Sequence, residues 1–463
     1  MTCLPTRRSG LAAWAATLAV VFVSCPAAGA VTPPQVDPLA PPPPGTAGPV
    51  QPMTQRGPCV TTAVLPGSDP GVVNPNALML DLSGAWRHSR GEGQTVAVID
   101  TGVQQGPRLL DVEGGGDFVE RTDGLTDCDG HGTLIAGLIA GQPGADGFSG
   151  VAPAARLISI RQTSARFAPS AAGEDDPVTA RAALDVVTLA RAIVRAADLG
   201  ARVINVSSVT CVSPDATVDQ TELGAALRYA AVEKDAVVVA AAGNNRAGLN
   251  AGSACPSNPL ADPGRPEDPR NWAGVTSVSI PSWWQPYVLS VGSLDLAGGP
   301  SAFTAAGPWI GIAAPGENVT SVGNGDGSLA NALPNDRGEL FPVSGTSYAT
   351  AYVSGVAALV RSRFPELNAQ QVVRRITASA HGAARSPSNL VGAGTVDPVA
   401  ALTWDIPEDD TEAMGPRQVA GPPPPVPADT TTRTIALASA GALALAAVIT
   451  AAVAAHRRKD ERS

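Results

Sequence analysis

Four short segments carry residue types suited to acyl-transfer chemistry, in the order Asp, His, Asn, Ser. Val96-Ala97-Val98-Ile99 leads into Asp100-Thr101-Gly102, which puts a carboxylate at the carboxyl end of a strand, where ligands of open α/β sheets bind. Asp129-Gly130-His131-Gly132-Thr133 opens the apolar run Leu134–Ile139, so His131 stands at a helix start between glycines that permit close backbone approach. Val237–Ala242 ends in Gly243-Asn244, where small neighbours let an amide donor reach a developing oxyanion. Val343-Ser344-Gly345-Thr346-Ser347 runs into an apolar helix, and the positive end of its dipole favours an anion beside Ser347. Taken singly, each has a commoner structural explanation: a strand-end turn, a surface histidine, an Asx turn, a helix cap. Together they supply an orienting carboxylate, a base, an oxyanion donor and a nucleophile. Asp-Thr-Gly also occurs in aspartic proteases, but those need two carboxylates sharing one proton, and no second copy is present.

Such side chains must converge at one edge of a sheet. Residues 75–405 alternate short β-branched runs with helical patterns, which predicts an α/β fold: a parallel sheet with helices on both faces. The expected strands are Thr95–Ile99, Leu157–Arg161, Arg202–Val206, Ala236–Ala241 and Tyr287–Gly292. The expected helices are Thr133–Ala140, Val186–Leu199, Leu223–Lys234, Ser347–Arg363 and Ala369–Ser379, the last capped by Asn368. Stretches 163–180 and 246–285 read as long surface loops.

The ends of the chain set its compartment. Arg7 and Arg8 precede an apolar run, and Ala28-Gly29-Ala30 offers a cleavage site, so residues 1–30 read as a signal peptide. Residues 31–74 form a Pro-rich N-terminal extension, with Pro33 to Pro58 favouring extended polyproline geometry over any packed element. Residues 406–433 form a second Pro-rich linker. Ile435 to Ala455 carries no charge and is long enough to cross a hydrocarbon core of about 30 Å, which gives a membrane span over 434–455. Arg457-Arg458-Lys459 then place the tail, 456–463, in the cytoplasm and residues 31 to about 433 outside. A net charge of −10 argues against a nucleic-acid partner.

Of six cysteines, Cys59, Cys128, Cys211 and Cys255 remain after signal-peptide removal, and an even number in an oxidising compartment predicts two disulfides. Three connectivities are possible; Cys59–Cys128 with Cys211–Cys255 closes the simplest non-crossing loops. No C-x-x-C pair suggests a zinc site, and no metal or other cofactor is expected.

The segments VAVIDTG, DGHGT, AAGN and SGTSYATAYVSG resemble those of the subtilisin-like serine proteases over roughly residues 75–405. That resemblance implies a serine endopeptidase in which Ser347 is the nucleophile, His131 the general base and Asp100 its orienting partner, with Asn244 and the Ser347 backbone N–H holding the oxyanion. Where the family has Ser-Leu-Gly along the substrate backbone, this chain has Ser207-Ser208-Val209, and the valine is expected to narrow the cleft. No acidic loop resembling a calcium site of the secreted subtilisins stands out. The anchored architecture, the extension and Leu157–Ser164 are similar to the mycosins, membrane-anchored subtilases of actinobacterial type VII (ESX) secretion systems. This narrower resemblance implies secreted type VII proteins as polypeptide substrates and subunits of the secretion membrane complex as partners. It also implies a Cys59–Cys128 bond pinning the extension beside His131, where it braces the domain.

Overall fold

The computed structural model describes residues 31–171, 176–246, 254–383, 387–407 and 431–460. The expected signal peptide and most of the second Pro-rich linker lie outside these residues. The chain divides into two units, one ending at Ile406 and one beginning at Pro407.

In the first unit the strands are β1 (Met53–Gln55), β2 (Thr95–Asp100), β3 (Val112–Asp117), β4 (Arg156–Arg161), β5 (Phe167–Pro169), β6 (Val203–Val206), β7 (Thr210–Val212), β8 (Val237–Ala241), β9 (Val278–Ile280), β10 (Val288–Leu294), β11 (Ile310–Pro315), β12 (Ser321–Val322), β13 (Leu329–Ala330), β14 (Ala332–Pro334), β15 (Leu340–Pro342), β16 (His381–Gly382) and β17 (Gly394–Thr395). Nine of them form one sheet in the order β3-β4-β2-β6-β8-β10-β11-β17-β16, parallel throughout except for β16 against β17. Every residue of β2 is buried, because a parallel strand is covered on both faces. Its side chains divide by the two-residue period of a strand. Val96 and Val98 enter a core with Leu134, Tyr348 and Val356, while Ala97 and Ile99 enter the opposite core with Ile193 and Leu227.

The helices of this unit are α1 (Pro75–Met79), α2 (Leu82–Ala85), α3 (His131–Ala140), α4 (Pro177–Asp198), α5 (Thr221–Arg228), α6 (Thr346–Arg363), α7 (Ala369–Ala378) and α8 (Pro398–Thr403). α3 is buried along its whole length and α6 along all but its last two residues, which fixes the positions of His131 and Ser347 at their N-termini. α7 carries the expected Asn368 cap, reciprocated by Gln371.

Three expectations need correction. The sheet has four further strands, β3, β11, β16 and β17; Val112-Glu113-Gly114-Gly115-Gly116 of β3 has no apolar alternation, and a Cβ on Gly115 would come within 2.6 Å of both Ile158 and Ile160. The loop over 163–180 is shorter than expected: it contains β5, and α4 already starts at Pro177, with Asp176 accepting from the Thr179 N–H. The stretch 246–285 contains β9, which pairs with β7.

The extension also departs from the expectation of an unpacked polyproline segment. β1 pairs antiparallel with β5, and beyond it Val60 N–H donates to the Cys128 carbonyl at 2.9 Å and Ala63 N–H to that of Ala332 at 2.9 Å. Asn324 ties in the same stretch, accepting from Thr62 N–H and donating to the Val60 and Asp127 carbonyls. The structure contains the disulfides Cys59–Cys128 and Cys211–Cys255, with Cα–Cα distances of 4.4 and 5.3 Å. The first closes a separation of 69 residues. On chain entropy, replacing Cys59 and Cys128 together by Ser is expected to cost about 4 kcal/mol of unfolding free energy in a urea titration. A loss below about 1 kcal/mol would contradict a bracing role.

The second unit contains α9 (Thr431–Asp460), within which Thr434–Arg458, with an 18-residue stretch of mean hydropathy 2.2, is long and apolar enough to cross a membrane.

Candidate active site

Asp100 ends β2 at the carboxyl edge of the sheet, and His131 opens α3 above it, with Nδ1 2.7 Å from Asp100 Oδ1. Both are almost wholly buried. The turn before His131 is possible because Gly130 takes φ = 76°, where a Cβ would come within 2.8 Å of Thr62 in the extension. Nε2 of His131 is buried without a partner. Burial opposes a charge on the ring, but the charge and hydrogen bond of Asp100, then the charges of Asp127 and Asp129, outweigh it and hold the imidazole above its ordinary pKa.

Ser347 lies in the first turn of α6, and its Oγ donates to the Ser207 carbonyl at 3.2 Å. Ser207 follows β6, whose Asn205 is tied to α6 through Ser354 at 2.9 Å and to Ser207 Oγ at 2.7 Å. Asn244 follows β8. Its Oδ1 accepts from Thr346 N–H at 3.0 Å and Thr346 Oγ1 at 3.2 Å, so the α6 N-terminus occupies the acceptor end of the amide and Nδ2 remains as its donor. Asp100, His131, Asn244, Ser207 and Ser347 therefore come from separate parts of the chain to one edge of the sheet.

Ser208 and Val209 border a cavity of about 430 Å³ next to this edge. Val209 is 9% exposed and packs against Ala241, Ala305 and Cys255, so its bulk rests largely on the Cys211–Cys255 bridge.

Two contributors are not evident from the sequence. Asp127 is buried and accepts hydrogen bonds from Thr101 Oγ1, the N–H groups of Asp129, Gly130 and Thr133, and Thr133 Oγ1, at 2.6 to 3.1 Å. Thr101 Oγ1 in turn accepts from Gly132 N–H at 2.9 Å, so this carboxylate knits the end of β2 to the turn carrying His131. Burial pushes Asp127 up to about 6 against the pull of Thr133 and Thr101. The second is Tyr348, whose ring lies 5.3 Å from that of His131 and whose buried hydroxyl has no partner. An acid four residues before His131 in the same turn is the one sequence signal for Asp127.

Asp127→Asn retains the size of this side chain but cannot accept all five bonds. It is expected to lower kcat about 10- to 100-fold by loosening the His131 turn. If His131 is the general base it must be neutral to act, and activity then falls as pH drops through its raised pKa. Losing one of the charges that raise it moves the acid limb of kcat/KM to lower pH. A variant with lower kcat and an unmoved limb would contradict the electrostatic half of this role.

A family model described as the subtilase family, Peptidase_S8, matches residues 91–394. Mycosin-3 of Mycobacterium tuberculosis is 63% identical over 418 residues, covering 90% of each chain. The chain belongs to the mycosin subtilases. A solved structure of MycP3 protease from the type VII (ESX-3) secretion system is 72% identical with a TM-score of 0.78, covering 81% of this chain and 100% of that one. A chain of an intact ESX-5 inner membrane complex is 46% identical with a TM-score of 0.79, covering 91% and 99% respectively. As a mycosin subtilase the protein is a subtilisin-like serine endopeptidase, and its substrates are polypeptides.

Proposed function

We propose that Asp100, His131 and Ser347 form the catalytic triad of a membrane-anchored endopeptidase that processes secreted type VII substrates beside an ESX membrane complex. The observation that carries the chemistry is the 2.7 Å bond from Asp100 to His131 Nδ1, which leaves Nε2 without a protein partner, with the ring of Tyr348, the residue after Ser347, 5.3 Å from the imidazole. In the reaction the Ser347 hydroxyl, which here donates to the Ser207 carbonyl, donates to Nε2 instead. The base takes the hydroxyl proton as Oγ attacks the scissile carbonyl, and returns it to the departing amine. Asp100 keeps Nδ1 protonated and stabilises the imidazolium, and Asn244 Nδ2 donates to the oxyanion. Residues 1–30 act as a signal peptide, 31–74 as a bracing extension, 75–405 as the peptidase domain, 406–433 as a spacer and 434–455 as the anchor. The domain lies on the outer side of the membrane and the tail, 456–463, in the cytoplasm, consistent with Arg457-Arg458-Lys459 after the span.

The test is comparative analysis of secreted proteins from cells lacking this chain, complemented with the native or the Ser347→Ala form. Native-only cleavage of a co-secreted protein supports the reading; identical fragments from both forms contradict it. The presence of a relative in the ESX-5 inner membrane complex favours a second role as a structural subunit. For that role, Ser347→Ala restores secretion as well as the native chain does.

A further inference from the structure

A second cavity, of about 280 Å³, opens on the His131 side of the site. Its apolar walls are Val60 of the extension, Leu333 of β14, Phe341 of β15 and Val343, with His131 and Tyr348 also facing it. It borders the Ser208–Val209 cavity only through Ala165. We propose that this cavity receives the side chain of the residue just after the scissile bond, that a large apolar side chain fits it, and that the extension supplies one wall. The inference rests on the triad reading above.

The side is fixed by proton transfer. His131 Nε2 must lie within hydrogen-bond reach of the departing nitrogen, so the first residue of the leaving segment begins at this ring. Tyr348, directly after Ser347, lies on the same side.

The chemistry of the occupant follows from what the walls have left to offer. Asp129 accepts from Ser164 Oγ and Ala165 N–H, and Arg166 pairs with Asp336 at 2.9 Å. With Arg166 already paired to Asp336, an acidic side chain would find no free counter-ion, whereas a leucine or phenylalanine side chain would cover Val60, Leu333 and Phe341. Three polar atoms of the lining residues lack a protein partner, His131 Nε2, Tyr348 Oη and Arg166 Nε, and the first two suit the amide groups of a bound peptide. Val60 is held in place by its N–H bond to Cys128 and its carbonyl bond from Asn324, next to the Cys59–Cys128 bridge, so this wall is as fixed as the His131 turn.

Nucleophile partitioning tests the site separately from the rest of the cleft. The full chain in detergent is acylated at Ser347 by a small chromogenic ester, and amino-acid amides are added to compete with water. Aminolysis breaks the Ser347 ester, forms an amide bond to the added amine and returns a proton through His131 to Ser347 Oγ, so the amine samples only the leaving side. Leucine and phenylalanine amides are expected to be taken up about tenfold or more in preference to glycine and aspartate amides. Val60→Asp and, as a milder variant, Phe341→Ala are expected to reduce this ratio severalfold. The ratio is internal to each variant, so a fall in total activity does not obscure it. Equal uptake of all four amides, or a ratio unchanged in both variants, would overturn the proposal while leaving the triad intact. Absence of any ester turnover would overturn the triad reading and this inference together.

Discussion

Asp100→Asn is expected to lower kcat by about 10⁴-fold with little change in KM. The carboxylate accepts from Nδ1–H of His131 at 2.7 Å and thereby leaves the lone pair on Nε2, the atom that must take the Ser347 proton. An asparagine is nearly the same size, but its amide nitrogen donates to Nδ1, favours the tautomer with the proton on Nε2, and provides no charge to stabilise the imidazolium. Steady-state turnover of a peptide or ester substrate measures the effect, and an unchanged melting temperature shows that the fold survived. A loss smaller than about tenfold would mean that His131 is oriented by something other than Asp100.

Asn244→Ala is expected to lower kcat by about 10²–10³-fold, the cost of removing one side-chain oxyanion donor from a subtilisin. The geometry here supplies the reason to expect the loss in kcat: Nδ2 is directed by the two bonds from Thr346 to Oδ1, so the donor is set in place before substrate arrives. A donor that strengthens only as the carbonyl becomes an oxyanion lowers the barrier without tightening the ground state. A proportional rise in KM with unchanged kcat would place Asn244 in ordinary substrate binding instead.

The sequence makes the site legible wherever local geometry restricts residue choice. A histidine between glycines, a carboxylate ending a β-branched run, and a serine among small residues before an apolar helix each follow from backbone requirements at that position. Their convergence is readable because parallel strands present all their carboxyl ends on one edge. Asp127 is not legible: its role depends on five donors that gather only when the turn closes, and an acid in a glycine-rich segment looks like any turn former. β3 is hidden by Gly114-Gly115-Gly116, suited to close approach, of Gly115 to Ile158 and Ile160, of Gly114 to Asp123 and of Gly116 to Ala47, and not to strand propensity. The extension, rich in proline, carries no periodicity that announces β1 or the packing of Val60, since both depend on partners more than a hundred residues away in β5 and at Asn324.

The central claim is that Ser347 is an activated nucleophile while the extension remains in place. Fluorophosphonate labelling of the full chain in detergent, with Ser347→Ala as the control and with the N-terminus of the labelled species sequenced, tests it most directly. The expected result is one label per chain, lost in Ser347→Ala, on molecules that retain Cys59 and Val60. Labelling confined to molecules cleaved beyond Val60, or absent from well-folded protein, would contradict the claim, because the extension would then block the site and not brace it.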